Sequence, residues 1–154
     1  MGKPVILGAV RTAGGKFGGS LKALTAPELG ALALRSAVER SRINPADVAE
    51  VIMGNGWQAG AGPNPARIAV WKSGVLADVP AYSVNIRCGS GLKAVMLAAD
   101  RIRLGDIKAG IAGGMESTSN VPYLLPEARW GHTKKKKKTP DALHKDGFFC
   151  PLAE

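Results

Sequence analysis

The chain is 154 residues long, 45% hydrophobic and 21% charged, a balance that fits one globular domain or one piece of a larger one with a sizeable core. Two cysteines exclude a disulfide framework, and no apolar run approaches the length of a bilayer span. The net charge of +9 invites an anionic partner, but five of the 21 cationic residues form one run, Lys134–Lys138, outside which the excess is small.

That run reads either as a solvated loop or as a phosphate-attracting one, and the sequence does not choose. No basic segment followed by an apolar stretch opens the chain, so the expectation is a cytoplasmic protein with reduced thiols. Twenty glycines and 5% aromatics suit tight turns and close backbone approaches.

In chain order, Pro4–Val10 (PVILGAV) reads as a buried strand, followed by a glycine-rich loop over Gly14–Ser20. A helix follows over 25–41. Thr25 and Glu28 form a capping box, Pro27 lies in the tolerated first turn, and Leu29, Leu32, Ala33 and Ala37 share one face. After the turn INPADV, Ala49–Gly56 reads as a second strand and Asn64–Gly74 as a short helix stopped by glycine. Ala81–Ile86 is a third strand. CGSGLKAVMLAADRIRLG is a third helix, apolar on more than one face and therefore expected to be central. Lys108–Glu116 is a fourth strand. Beyond Asn120 the periodicity fades into an extended loop region, in which Leu143, Phe148, Phe149 and Leu152 need something to pack on.

Strands alternating with helices imply an α/β fold, with βαβ units in a parallel-rich sheet layered by helices. Reactive groups in such sheets collect at the carboxyl ends of the strands, where Cys88 and the 113–120 stretch both fall. The domain reading is a partial α/β domain over 1–119 and the start of a loop domain over 120–154.

Cys88 follows a strand and precedes a helix. A helix N-terminus stabilises a thiolate through its dipole and unpaired N–H groups. Small residues at Gly89, Ser90 and Gly91 leave the thiol and those N–H groups accessible, and the same groups suit an oxyanion. The competing reading is a small buried apolar residue, the usual fate of a free cysteine. Local chemistry leaves both open.

Several segments in one order carry the argument further: VRTAGGKFGGSL, GNGWQAGAGPNPARIA, VNIRCGSGLKAV, AGGMESTSNVPY and HKDGFFCPLAE. Together they resemble the thiolase family, the acyl-CoA acetyltransferases, across nearly the whole chain. Two departures are Ala13–Gly14, where the family often has proline and a larger residue, and the lysine run. The resemblance implies the N-terminal half of a thiolase fold. It also implies that Cys88 is the nucleophile that carries the acyl group, with its backbone N–H in an oxyanion hole. Coenzyme A thioesters are then substrates, with no bound cofactor and no metal.

The family's histidine, asparagine and second-cysteine segments, which belong to its C-terminal half, have no counterpart here. His132 and His144 do not match them and read as solvent-facing or packing residues, and Cys150 reads as a packing thiol. Two explanations remain, a truncated fragment whose other half is missing or one subunit of a split enzyme. The expectation is the second, inactive without a partner: a second thiolase-like chain carrying the C-terminal half, in a homo- or hetero-dimer or tetramer, with no nucleic acid and no membrane. Alternatives are another condensing enzyme of the superfamily, such as a hydroxymethylglutaryl-CoA-type synthase, or a non-catalytic scaffold that binds polyanions through its lysines. Asn85 reads as a turn former, Arg67 as half of an internal ion pair, and Glu116 and Ser117 as backbone and interface packing near the site. GGKFGG and GNGWQAGAG read as backbone turns.

Overall fold

The computed structural model describes residues 3–131, 139–150 and 152–153. Three helices and three strands alternate: α1 Ala26–Ser41, β1 Glu50–Gly54, α2 Pro65–Ser73, β2 Ala81–Val84, α3 Ser90–Leu104 and β3 Gly110–Gly114. The sheet is parallel with β1 at its centre, in the order β2-β1-β3. Val51 stands beside Ala81 and Ile111, and Gly54 beside Val84 and Gly114, so all three strands end level.

The chain crosses from β1 to β2 through α2, then back over β1 to β3 through α3. Two crossovers in opposite directions share one hand only if they use opposite faces of the sheet. That is the arrangement found. Val51 and Met53 of β1 point to a core shared with Leu34 and Val38 of α1 and with Ala66, Ala69 and Val70 of α2. Ile52 points the other way, onto Ala94 and Ala98 of α3.

Local chemistry sets the helix ends. The N–H and hydroxyl of Thr25 both donate to Glu28, at 2.9 and 2.8 Å, closing the start of α1. Asn64 caps α2 by accepting the Arg67 N–H at 3.1 Å, while its amide donates to the carbonyl of Ala81 in β2. Gly74 and Gly105 end α2 and α3 in left-handed conformations.

Three expectations are corrected. Pro4–Val10 is not a strand. It pairs with no strand among the described residues, runs past the end of α1 where Arg40 donates to the carbonyl of Ala9, and leaves Val5, Ile6 and Leu7 exposed. A strand-like composition makes a strand only when a sheet edge receives its backbone groups. The buried face of α1 is Gly30, Ala31, Leu34 and Val38 rather than Leu29, Leu32, Ala33 and Ala37. Close packing of α1 on α2 selects small residues there, whereas Leu32 faces solvent. The third helix buries one face, through Ser90, Ala94 and Ala98, and leaves Leu92, Met96 and Leu104 exposed.

After Asn120 the described residues are extended, with short helical turns at Pro126–Trp130 and His144–Phe148. The chain folds back on itself where the Leu124 N–H donates to the Pro140 carbonyl and the Ala142 N–H to that of Pro122. Phe148 lies at 5.5 Å from the ring of Trp57, whose indole N–H donates to the carbonyl of Leu143. Leu143 is half-buried there, while Phe148, Phe149 and Leu152 stay exposed. Among the described residues no helix is long and apolar enough to cross a membrane.

Candidate active-site turn

Residues 85–89 join β2 to α3 at the carboxyl end of the sheet. The chain turns through Arg87, whose φ of 58° is left-handed and strained for a bulky residue, so neighbouring bonds must hold it. Asn85 supplies one: its Oδ1 accepts the Arg87 N–H at 3.1 Å, a side-chain turn that replaces a backbone one. Ser90 supplies two more. Its hydroxyl accepts the Ile86 N–H at 2.9 Å and donates to the Arg87 carbonyl at 2.5 Å. Cys88 projects from this turn as an exposed, unpaired thiol. The structure therefore brings the sequence-predicted nucleophile to a strand-to-helix junction and leaves its sulfur open.

The helix begins one residue later than expected, with Gly89 as its cap and Ser90 as its first residue. The small residues also have a reason that the sequence reading missed. A Cβ on Gly54 would collide with the backbone of Ser90 and Gly91, and one on Gly114 would lie 3.2 Å from the Cα of Gly91. The first turn of α3 rests directly on the ends of β1 and β3, and a side chain at position 54 would block that approach.

Next to the turn lies a buried polar knot. Asn55, 1% exposed, donates its amide to Glu116 at 2.6 Å and to the carbonyl of Met115 at 3.2 Å. The carboxylate of Glu116 also accepts the N–H groups of Gly56, at 2.7 Å, and Trp57, at 3.2 Å. Burial pushes the Glu116 carboxyl above the usual carboxylate range, against the pull of those donors and of the nearby Arg87 charge. On the far side of the same backbone, the Gly56 carbonyl accepts from Asn85 Nδ2 at 3.1 Å and from the Arg87 guanidinium at 3.3 Å. Asn55 was not singled out from sequence; an asparagine directly after an apolar strand, before a glycine, was the available signal. An open recess of about 510 Å³ adjoins this knot, lined in part by Gly56, Asn85, Arg87, Lys145 and Phe149.

The other predicted residues stand apart. His144 is exposed with its ring edge-on to Phe148 at 6.4 Å, and His132 and Lys134–Lys138 lie outside the described residues. Cys150 is exposed rather than packed. Among the described residues Arg67 forms no ion pair; its guanidinium donates to the carbonyls of Ala77 and Val79 at 2.6 and 3.2 Å, bracing the turn before β2. Ser117 donates to the Leu24 carbonyl at 2.8 Å and Asn120 to those of Lys22 and Leu24, tying the loop after β3 to the entry of α1. A second cleft, of about 320 Å³, lies between the glycine-rich loop and residues 114–119 and has no thiol or imidazole in its lining. Among the described residues no three His, Cys, Asp or Glu side chains gather as a metal ion requires.

An exposed thiol stands on a tight turn between a parallel strand and a helix, and comparison with known proteins gives the family of the chain that carries it. The chain belongs to the thiolase family: the model of the thiolase N-terminal domain matches residues 4–154. It is 50% identical over 145 residues to an acetyl-CoA acetyltransferase of Cupriavidus necator, covering 94% of this chain and 37% of that protein. It is 48% identical over 147 residues to the acetyl-CoA acetyltransferase of Escherichia coli K12, covering 95% and 37%. A probable acetyl-CoA acyltransferase of Staphylococcus epidermidis is 47% identical over 148 residues, covering 96% and 38%. The chain thus spans a little over a third of the length of these relatives.

Proposed function

We propose that this chain is the nucleophile-bearing part of a thiolase and that Cys88 carries the acyl group. The observation behind this reading is the exposed thiol at the end of β2, on a turn held by Asn85 and Ser90, in a chain of the thiolase family. The chemistry runs in two steps. The Cys88 thiolate attacks the thioester carbonyl of an acyl-CoA, the bond to coenzyme A sulfur breaks, and coenzyme A leaves and takes up a proton. A second acetyl-CoA loses an α-proton to a base, and its carbanion attacks the acyl-cysteine and releases the Cys88 thiolate. Run backwards, coenzyme A cleaves a 3-ketoacyl-CoA. The backbone N–H of Cys88 serves as an oxyanion donor for the tetrahedral adduct.

The base and the proton-moving second cysteine come from the remainder of a thiolase, outside these 154 residues. We propose that this remainder completes the site within a dimeric or tetrameric assembly. These residues alone are then inactive, and their small-molecule partners are coenzyme A and its thioesters. The test is mass spectrometry of the chain mixed with a co-expressed C-terminal thiolase portion and acetyl-CoA. An acetyl adduct on Cys88 and none on Cys150 is expected. No adduct on Cys88, in a mixture whose two parts copurify, overturns the reading. Product analysis with acetyl-CoA plus acetoacetyl-CoA distinguishes a thiolase from a hydroxymethylglutaryl-CoA-type synthase.

A further inference from the structure

We propose that Glu116 is a positioning residue for the Cys88 turn and acts through one peptide group, the one joining Gly56 to Trp57. The N–H of that peptide, on Trp57, donates to Glu116 Oε1 at 3.2 Å. Its carbonyl, on Gly56, receives Asn85 Nδ2 at 3.1 Å and Arg87 Nη1 at 3.3 Å. The peptide is gripped from both edges, by a carboxylate on one and by the two side chains that precede Cys88 on the other. A carboxylate on the N–H edge polarises the peptide and strengthens its carbonyl as an acceptor. The preceding peptide is fixed as well, because the Gly56 N–H donates to Glu116 Oε2 at 2.7 Å.

The same two side chains control the strained residue. Asn85 anchors its amide on Gly56 and uses its oxygen to hold the Arg87 N–H. Arg87, at φ 58°, leans its guanidinium on the same carbonyl. If the 56–57 peptide can rotate, both anchors slacken together. Arg87 then has a route out of its left-handed conformation, and the next residue in the chain is Cys88. Glu116 thus reaches the thiol through the chain Glu116, peptide 56–57, Asn85 and Arg87, without touching substrate.

Glutamine at 116 is nearly isosteric and tests the link. Its one oxygen can still accept from Asn55 and Trp57, but its NH2 would face the Gly56 N–H, donor against donor. The catalytic meaning rests on Cys88 being the nucleophile. The measurement does not, because it uses iodoacetamide labelling of the 154-residue chain with Cys150 as internal reference. Glu116→Gln is expected to change the Cys88-to-Cys150 labelling ratio by at least about twofold, the low end of coupling within one hydrogen-bond network. Asn85→Asp keeps the acceptor for Arg87 but loses the donor to Gly56, and is expected to change the ratio in the same direction. The double variant should change it no further than the larger single one.

An unchanged ratio in folded Glu116→Gln, or a double variant whose effects simply multiply, overturns the proposal. A change shared equally by both thiols also overturns it, since that marks general loosening. If circular dichroism finds Glu116→Gln unfolded, Asn85→Asp decides: a ratio equal to that of the unaltered chain overturns the link to Gly56. Acylation by acetyl-CoA in the assembled enzyme is scored separately, so failure of the thiolase reading leaves the labelling result standing.

Discussion

The two faces of the sheet are built differently. The face that carries α1 and α2 has a continuous core in which Leu34, Val51, Met53, Val70 and Leu76 are almost fully buried. The face that carries α3 has a thin one, with Ile52 set between Ala94 and Ala98. On the first face, large side chains fill the space between layers. On the second, the helix comes close because glycine and alanine leave nothing to fill. The first face supplies most of the apolar burial that stabilises the domain. The second places the beginning of α3, and so the Cys88 turn, against the ends of β1 and β3. Stability and positioning are thus separated across one sheet.

That separation is open to attack by substitution. The largest effect belongs to the thick face: Leu34→Ala should cost about 2–5 kcal/mol, seen as a lower midpoint in urea denaturation, with little change in the Cys88-to-Cys150 labelling ratio of the protein that stays folded. The next concerns the close approach. Gly54→Ala pushes against the backbone of Ser90 and Gly91, should cost about 1–3 kcal/mol, and should change Cys88 labelling beyond what its stability loss explains. A labelling ratio as sensitive to Leu34→Ala as to Gly54→Ala would erase the distinction between the faces.

A smaller effect sits at the edge of the thick face, where Glu28 closes the start of α1 and pairs with Lys72 of α2 at 3.2 Å. The Thr25 N–H and hydroxyl, then Lys72, hold its carboxyl down at about 2. A depressed carboxyl stabilises the fold above its unfolded pKa, and that contribution drains away as pH falls from the ordinary carboxylate range through about 2. Glu28→Ala should cost about 1 kcal/mol or less at neutral pH, since 35% of the side chain is in solvent and screening weakens the pair. The difference from the parent chain should shrink as urea midpoints are taken toward pH 2. The smallest effect is on the outer side of α3, where Leu92→Ser should leave stability within about 0.5 kcal/mol, because Leu92 is 69% exposed. A large loss there would mean that the thin face is braced by more than Ile52, Ala94 and Ala98.

Much of this architecture was legible in the chain. The capping box at Thr25 and Glu28 and the stop glycines 74 and 105 are signals a few residues long, and they sit where the helices begin and end. Ala49–Gly56 and Lys108–Glu116 contain the strands they announced, trimmed by one to two residues at each end. Cys88 was placed at a strand-to-helix turn by the apolar run before it and the helical run after it. Asn85 was read as a turn former, and its oxygen makes that turn. Arg67 was misread because an arginine near a helix start looks the same whether it meets a carboxylate or a row of carbonyls.

The sequence by itself determined where the elements lie, their parallel order of succession, and which thiol stands at the junction, because propensity, capping and periodicity act over one or two turns of chain. Only the tertiary structure decided which face of α1 is buried, that Pro4–Val10 joins no strand among the described residues, and why Gly54 must be glycine. It alone also decided that Glu116 meets the Asn55 side chain and the 56–57 backbone, 59 to 61 residues away in sequence, and that the Gly56 carbonyl of the same backbone anchors Asn85 and Arg87. Contacts at such separations leave no periodic trace in the chain. They follow from how level strand ends bring three loops to one edge of the sheet, and the turn that holds Cys88 is assembled there.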